Sequence, residues 1–386
     1  MTEMNSKAGT AVLGIGTALP AYSIAQPEIA ELIASSLQDS PDLARFAKRI
    51  FKSCGVETRY TVDDSYLGSA DSCRYVPTGG ELAGIPTTGE RMKKYQQEAL
   101  PLGLEAARRA LRDAGQTAGE ITHLITVSCT GQYLPGLDVM LIRELGMSPR
   151  VNRLPLIFQG CAAGLKAIQM ARDVVNGAPG STVLVVCVEL CTLHFQPVQE
   201  RGALFAASFF GDGAGACVVG AAEARHSHYL SLGTGYSVLL PETTADMTWE
   251  VGDAGFDLYL SPRIPELLGS HLEAELELLL AGAALPELWA IHPGGRGIVD
   301  SVQKVMRLRD EQTHYSREIL RTAGNLSSVT ILFVLEAMRQ DMKAQGSAAK
   351  EGVAMAFGPG LTAELMRFTY VPAYSPAHQE QNHAVL

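Results

Sequence analysis

Residues 156–171 read LIFQGCAAGLKAIQMA and set one cysteine, Cys161, between an apolar run and a small-residue helical pattern. Residues 151–159 read as a short buried strand with its turn, and Leu165, Ile168, Val174 and Val175 recur at near-helical spacing over 162–175. Cys161 then falls at a helix N-terminus, where free backbone N–H groups and the positive end of the helix dipole favour a thiolate. Gly160 and Gly164 on either side leave room for a substrate. A lone cysteine serves as readily as a small packing hydrophobe, so residues elsewhere in the chain must decide between nucleophile and core.

The alternation of apolar strand and amphipathic helix repeats along the chain. TAVLGIG near the start, THLITVSC (122–129), STVLVVCVEL (181–190) and GAGACVVG (213–220) are strand-like runs separated by helical segments, which is the α/β signature. After AAEARHSH (221–228) a second series begins with LSLGTG, the helical HLEAELELLLAGA, LWAIH, a helix from Asn325, and finally GVAMAF and ELMRFTYV. Two α/β halves are expected, 1–222 and 223–375, followed by a frayed tail at 376–386. The Gly-, Pro- and Thr-rich segment 72–90 reads as an ordered surface excursion.

Composition narrows the function. With 386 residues, 47% hydrophobic and 19% charged, the chain has material for a large core. No apolar run reaches membrane-span length and the N-terminus lacks signal-peptide order, so a cytoplasmic location is expected. The seven cysteines contain no CxxC pair, which suggests neither disulfides nor a zinc or other metal site. A net charge of −10 argues against nucleic acid as a partner, although a local basic patch can still hold an anion. In DLARFAKRIFKS (42–53), Arg45, Lys48, Arg49 and Lys52 share one helical face. That stripe is either a solvated surface or an anion site.

Three further segments carry chemistry-bearing residues between turns. In LWAIHPGGRGIVD, His292 ends a strand and enters a Pro-Gly-Gly turn whose amides are open to a ligand. In RTAGNLSSVTILFVL, Asn325 opens an apolar helix and either caps it or points its amide inward as a donor. FFGDGAGACVV and GVAMAFGPGLTAEL are tight turns flanked by apolar runs.

Taken in order, Cys161 in FQGCAAG, His292 in HPGG, Asn325 in GNLSS, Phe210 in FFGDGAGA and Gly358-Pro359-Gly360 in FGPG closely resemble the bacterial-type, chalcone synthase-like type III polyketide synthases. This family belongs to the thiolase and ketoacyl synthase superfamily. The resemblance implies a duplicated, five-layered αβαβα thiolase-like fold in a homodimer, with Cys161 as acyl-carrying nucleophile and His292 and Asn325 lining the same buried cavity. Phe210 matches the family's aromatic gate, and Phe256 the second gate after a one-residue shift. Cys129, Cys191, His194 and Ser327 match cavity-lining positions, beside the Gly358-Pro359 turn. Lys48 matches a CoA-contacting lysine, drawing Arg45, Arg49 and Lys52 with it, while Gly294 to Gly297 match the turn beside the pantetheine arm. Cysteine at positions that are mostly Thr or Ser in plant chalcone synthases implies a more apolar cavity, suited to an alkyl or aryl starter.

The chemistry explains the grouping. A thiolate paired with imidazolium attacks an acyl-CoA thioester and stores the acyl group. Decarboxylation of malonyl-CoA then yields an enolate that needs N–H donors rather than a cofactor, and a carboxylate beside His292 and Asn325 would obstruct this. Neither motif contains one. The expected activity is decarboxylative condensation of an acyl-CoA starter with malonyl-CoA and release of a cyclised pyrone, resorcinol or related product. Two alternatives stay open on the residues alone: a single-condensation ketoacyl-carrier-protein synthase III, and a noncatalytic acyl-CoA-binding protein on the same fold.

Overall fold

A computed structural model describes residues 9–37, 39–69, 72–76, 84–196 and 201–373. The chain opens with β1 (Thr10–Ala18), β2 (Tyr22–Ala25), α1 (Gln26–Ser36), α2 (Pro41–Ser53) and β3 (Thr58–Thr61), the last pairing with β2. The long α3 (Thr88–Ala114) leads to β4 (His123–Ser128), α4 (Leu137–Leu145), β5 (Asn152–Ile157), α5 (Ala163–Gly177), β6 (Val183–Leu190), the short α6 (Arg201–Ala207) and β7 (Asp212–Ala221). Next come β8 (Tyr229–Leu239), the hairpin β9 (Met247–Gly252) and β10 (Gly255–Leu260), and α7 (Ile264–Leu280). The chain continues through β11 (Leu288–Ile291), α8 (Arg296–Met306), α9 (Asp310–Ala323), α10 (Thr330–Ala344), β12 (Lys350–Gly358) and β13 (Thr362–Val371). The expected tail at 376–386 and residues 77–83 of the expected surface excursion lie outside the described residues.

Nine strands form one mixed sheet in the order β11-β12-β13-β8-β1-β7-β6-β4-β5. The strands of the two halves join where β1 meets β8 through only two residue pairs, Ala11 with Ser231 and Val12 with Leu230. Every residue of β6 is buried, as expected of an unbroken Val/Leu run in a central strand. Helices α5 and α10 pack on each other and each touches strands of both halves, α3 packs on β1, β6 and β7, and α7 packs on β13 and β8. The two helices that follow Cys161 and Asn325 therefore lie side by side in the molecule's interior.

The segment expected as a buried strand ahead of Cys161 is instead the edge of the sheet. In β5 only Leu156 is buried; the strand pairs with β4 alone and carries Pro155, a residue that edge strands tolerate. Leu154, Ile157 and Phe158 are exposed there, and so is Leu134 in the neighbouring loop.

Candidate active site

Cys161 sits in a short 3-10 turn, Gly160–Ala162, that runs directly into α5. Both flanking glycines permit close packing, and Gly160 also faces the cavity that Cys161 lines. Gly160 holds φ at +60°, and a Cβ there would stand 2.3 Å from Cδ of Pro359. A Cβ on Gly164 would stand 2.0 Å from the Ser328 carbonyl oxygen. Gly164 therefore lets α5 approach the turn that precedes α10, which brings Cys161 to Asn325.

Asn325 does not begin a helix: α10 starts at Thr330, after a 3-10 turn at Ser327–Val329. Its Oδ1 accepts from Ser327 N at 2.8 Å and from Thr330 Oγ1 at 3.3 Å. This fixes the amide and turns Nδ2 inward, 3.9 Å from Cys161 Sγ and 3.4 Å from the Gly294 carbonyl oxygen. The two expected roles are thus divided between the ends of one amide. His292 follows β11, with its N–H donating to the Met355 carbonyl at 2.8 Å. Its ring is buried, and neither nitrogen has a partner among the described residues.

Cys161, His292 and Asn325 line one cavity of about 460 Å³, together with Phe210, Gly294, Gly297 and Pro359. The lining is mostly apolar, with Met247, Trp249, Leu258 and Ile264 contributing. In this setting desolvation outweighs the helix terminus: burial pushes the Cys161 thiol up to about 12 and the His292 imidazole down to about 3. Burial thus opposes the charged form of each group, against the thiolate–imidazolium pair expected from sequence.

The remaining sequence candidates separate into groups. Cys191, His194 and Phe256 line a second cavity of about 400 Å³, with Phe210 shared between the two. Phe256 stacks on His194 at 4.2 Å and lines only the second cavity, so the aromatic ring beside Phe210 at the partition is Trp249. Cys129 and Ser327 lie behind Cys161, with Cys129 Sγ 3.1 Å from Ser327 Oγ and 3.2 Å from Glu189 Oε1. Gly358 packs against the Gln159 carbonyl and Ala162. A carboxylate does approach the site: Glu189 is fully buried and accepts from Thr130 Oγ1 at 2.7 Å, Cys129 N at 3.1 Å and Ser328 Oγ. Burial holds its carboxyl above the usual carboxylate range.

Two family models match this chain: Chalcone and stilbene synthases, N-terminal domain, over residues 1–223, and the corresponding C-terminal domain over 232–372. The chain belongs to the chalcone and stilbene synthase family. It is 33% identical over 370 residues to type III polyketide synthase 21 of Oryza sativa subsp. japonica, covering 94% of each chain. It is 31% identical to the alpha-pyrone synthesis polyketide synthase-like Pks18 of Mycobacterium tuberculosis, covering 93% of this chain and 90% of that protein. Among solved structures, the C-terminal type III polyketide synthase domain of Steely1 from Dictyostelium superposes with a TM-score of 0.86 at 27% identity, covering 94% of this chain and 99% of that one. PKS-I from the brown alga Ectocarpus siliculosus also gives 0.86 at 27% identity, covering 96% and 100%. The fold is thiolase-like, and the protein is a type III polyketide synthase, an acyltransferase of decarboxylative condensation in a family that uses acyl-CoA substrates.

The basic stripe of the synthase does not line the cavity. Helix α2 presents Ile50 and Ser53 to it, with Cys54 just beyond. Lys48 pairs with Glu31 at 2.7 Å, Arg45 pairs with Asp42, and Arg49 lies over the Phe46 ring. The cation in the cavity lining is Arg296, 3.4 Å from Asp300. Sequence reading also passed over Arg59, buried beneath Phe210 and donating to the carbonyls of Ala207 at 2.7 Å and Phe210 at 2.9 Å. One signal was available for Glu189, which ends the apolar run STVLVVCVEL, where a charged side chain requires partners; the polar ETRYTVDD around Arg59 offers none.

Proposed function

We propose that Cys161 carries the acyl chain, and that His292 and Asn325 hold the malonyl-derived enolate. The observation that carries this reading is the amide of Asn325, which meets the Cys161 sulfur with Nδ2 at 3.9 Å and Oδ1 at 4.0 Å, and whose Oδ1 is fixed by Ser327 and Thr330, leaving Nδ2 as the available donor. In loading, Cys161 Sγ attacks the thioester carbonyl as its proton passes to His292. The C–S bond to CoA then breaks, and the imidazolium returns the proton to the departing CoA sulfur. In extension, malonyl-CoA loses CO₂ and the enolate oxygen takes hydrogen bonds from His292 and from Asn325 Nδ2. The enolate carbon attacks the Cys161 thioester, forming a C–C bond and freeing the thiol, and the chain is finally released as a cyclised polyketide. No cofactor or metal enters this scheme. The apolar lining of the cavity supports an alkyl or aryl starter.

The same reading includes a duplicated five-layer αβαβα arrangement with halves at 1–222 and 223–375, and a homodimer. The exposed apolar edge at Leu154, Ile157 and Phe158, with Leu134 nearby, supports the dimer. A cytoplasmic location is supported by seven cysteines that are all free and buried; among the described residues no helix is long and apolar enough to cross a membrane. The test of the central assignment is intact-protein mass spectrometry of wild type and Cys161→Ala after incubation with an acyl-CoA. Wild type should gain one acyl mass and the variant none; acylation of the variant would assign the nucleophile elsewhere.

A further inference from the structure

Three side chains line both cavities: Phe210, Trp249 and Leu258. Of these only Trp249 carries a polar atom. Its ring stands edge-on to three others, 6.4 Å from Phe210, 6.3 Å from His194 and 6.3 Å from Phe256. The indole Nε1 is buried and has no hydrogen-bond partner among the described residues. Leaving a buried donor unpaired is unfavourable, so such a donor beside a cavity marks a place where a ligand acceptor belongs.

Two neighbouring donors are already engaged. His194 is engaged through both ring nitrogens, Nε2 with the Thr130 carbonyl at 2.6 Å and Nδ1 with Phe256 N at 3.1 Å. The Gln196 amide donates to Asp257 at 2.8 Å. We propose that the Trp249 N–H recognises the oxidation state of the growing chain: it donates to a keto oxygen of the poly-β-keto chain as the chain passes from the cavity at Cys161 into the second cavity. The role rests on the polyketide synthase reading of the site. The hydrogen bond selects for oxidised chains, because each condensation places a new carbonyl two carbons from the last, whereas a plain alkyl starter offers no acceptor there.

The test compares wild type with Trp249→Phe and Trp249→Leu, using one acyl-CoA starter with malonyl-CoA. Products are resolved by mass, and Cys161 acylation is followed in the same preparations. Phe, which retains a ring but lacks the donor, should shift products several-fold toward early release, and so should Leu, which lacks both. Tryptophan emission gives a readout independent of turnover. The chain has two tryptophans, and Trp289 is fully buried with Nε1 bound to the Pro286 carbonyl at 2.9 Å. Acylating Cys161 with a non-extendable β-ketoacyl group should shift the emission of wild type and leave that of Trp249→Phe unshifted. If both variants acylate Cys161 and return the wild-type product distribution, or if wild-type emission does not respond, the role is overturned. Should Leu fail to fold, the Phe variant and the emission experiment decide alone. A wild-type enzyme that neither acylates Cys161 nor decarboxylates malonyl-CoA would overturn the synthase reading of the site, and this role with it.

Discussion

Phe210 and Asn325 are joined by an isolated parallel β-bridge. Asn325 N donates to the Phe209 carbonyl at 2.7 Å, and Gly211 N donates to the Asn325 carbonyl at 3.0 Å. The ring at the cavity partition and the amide beside Cys161 are thus fixed to each other through main chain, and a shift of one carries the other.

Asn325→Asp separates the two ends of that amide. The carboxyl keeps an acceptor for Ser327 N and Thr330 Oγ1, so the variant should still fold, with some loss of stability from a carboxyl at a buried position, but the Nδ2 donor is gone. Losing one such donor typically lowers the rate by about 3 kcal/mol, roughly a hundredfold, and the new negative charge faces the malonyl group. Decarboxylation of malonyl-CoA should fall at least that far. Decarboxylation within a few-fold of wild type, in a variant that folds, would remove Asn325 from the mechanism.

The pH dependence follows from burial. With the Cys161 thiol pushed up to about 12, the reactive thiolate increases as pH rises and does not saturate near neutrality. Alkylation of Cys161 by iodoacetamide should therefore climb about tenfold per pH unit from 6 to 9 without a plateau. His292, held at about 3, should add no inflection in that range. A plateau above pH 7 in the peptide-resolved alkylation rate would instead indicate a preformed thiolate.

Arg59 holds the backbone beneath Phe210. Arg59→Met leaves the buried carbonyls of Ala207, Ser208 and Phe210 without the guanidinium that now serves them. The Ser208 carbonyl still accepts from Gln26 Nε2 at 2.6 Å, whereas those of Ala207 and Phe210 lose their donor; each unsatisfied acceptor is unfavourable by about 1–3 kcal/mol, so denaturant unfolding should report a loss of at least about 2 kcal/mol. Arg59→Lys should lie between the two. A Met variant as stable as wild type would show that water or rearrangement replaces the guanidinium.

CoA recognition distinguishes Arg296 from Lys48. Arg296→Ala should raise KM for an acyl-CoA several-fold and leave turnover of the matching N-acetylcysteamine thioester little changed, because the latter has no phosphates. Lys48→Ala should have the smaller effect, since Lys48 is paired with Glu31 on the far side of α2 from Ile50 and Ser53. The reverse ranking would restore the stripe on α2 as the phosphate site.

Local pattern reveals what a residue's neighbours in sequence require, and this reached a long way here. Cys161, His292 and Asn325 were each marked by glycine-bounded turns, and the structure brings all three to one cavity. The four cations of 42–53 were correctly placed on one helical face, but periodicity does not say toward what a face points. Trp249 went unnoticed because a lone aromatic residue in a strand looks like ordinary packing; its meaning depends on Phe210 and His194, which come from other elements. Glu189 was passed over at the end of the apolar run STVLVVCVEL, since its donors at Cys129, Thr130 and Ser328 converge only in three dimensions. The helix terminus at Cys161 is local and readable, whereas the depth of burial that opposes its charged form is not.

The position of β1 has a consequence for synthesis on the ribosome. It is the first strand of the mixed sheet to be made, yet its partners Ala221 and Leu230 come more than two hundred residues later. At about 5–20 residues per second, the apolar TAVLGIGTA waits roughly ten to forty seconds before β7 exists to pair with it. During that interval nothing in the finished sheet can shield it, and the same strand is what finally links the two halves. Recovery of active enzyme should therefore rise with chaperone supply and fall as elongation slows, even for variants whose completed fold is as stable as that of wild type.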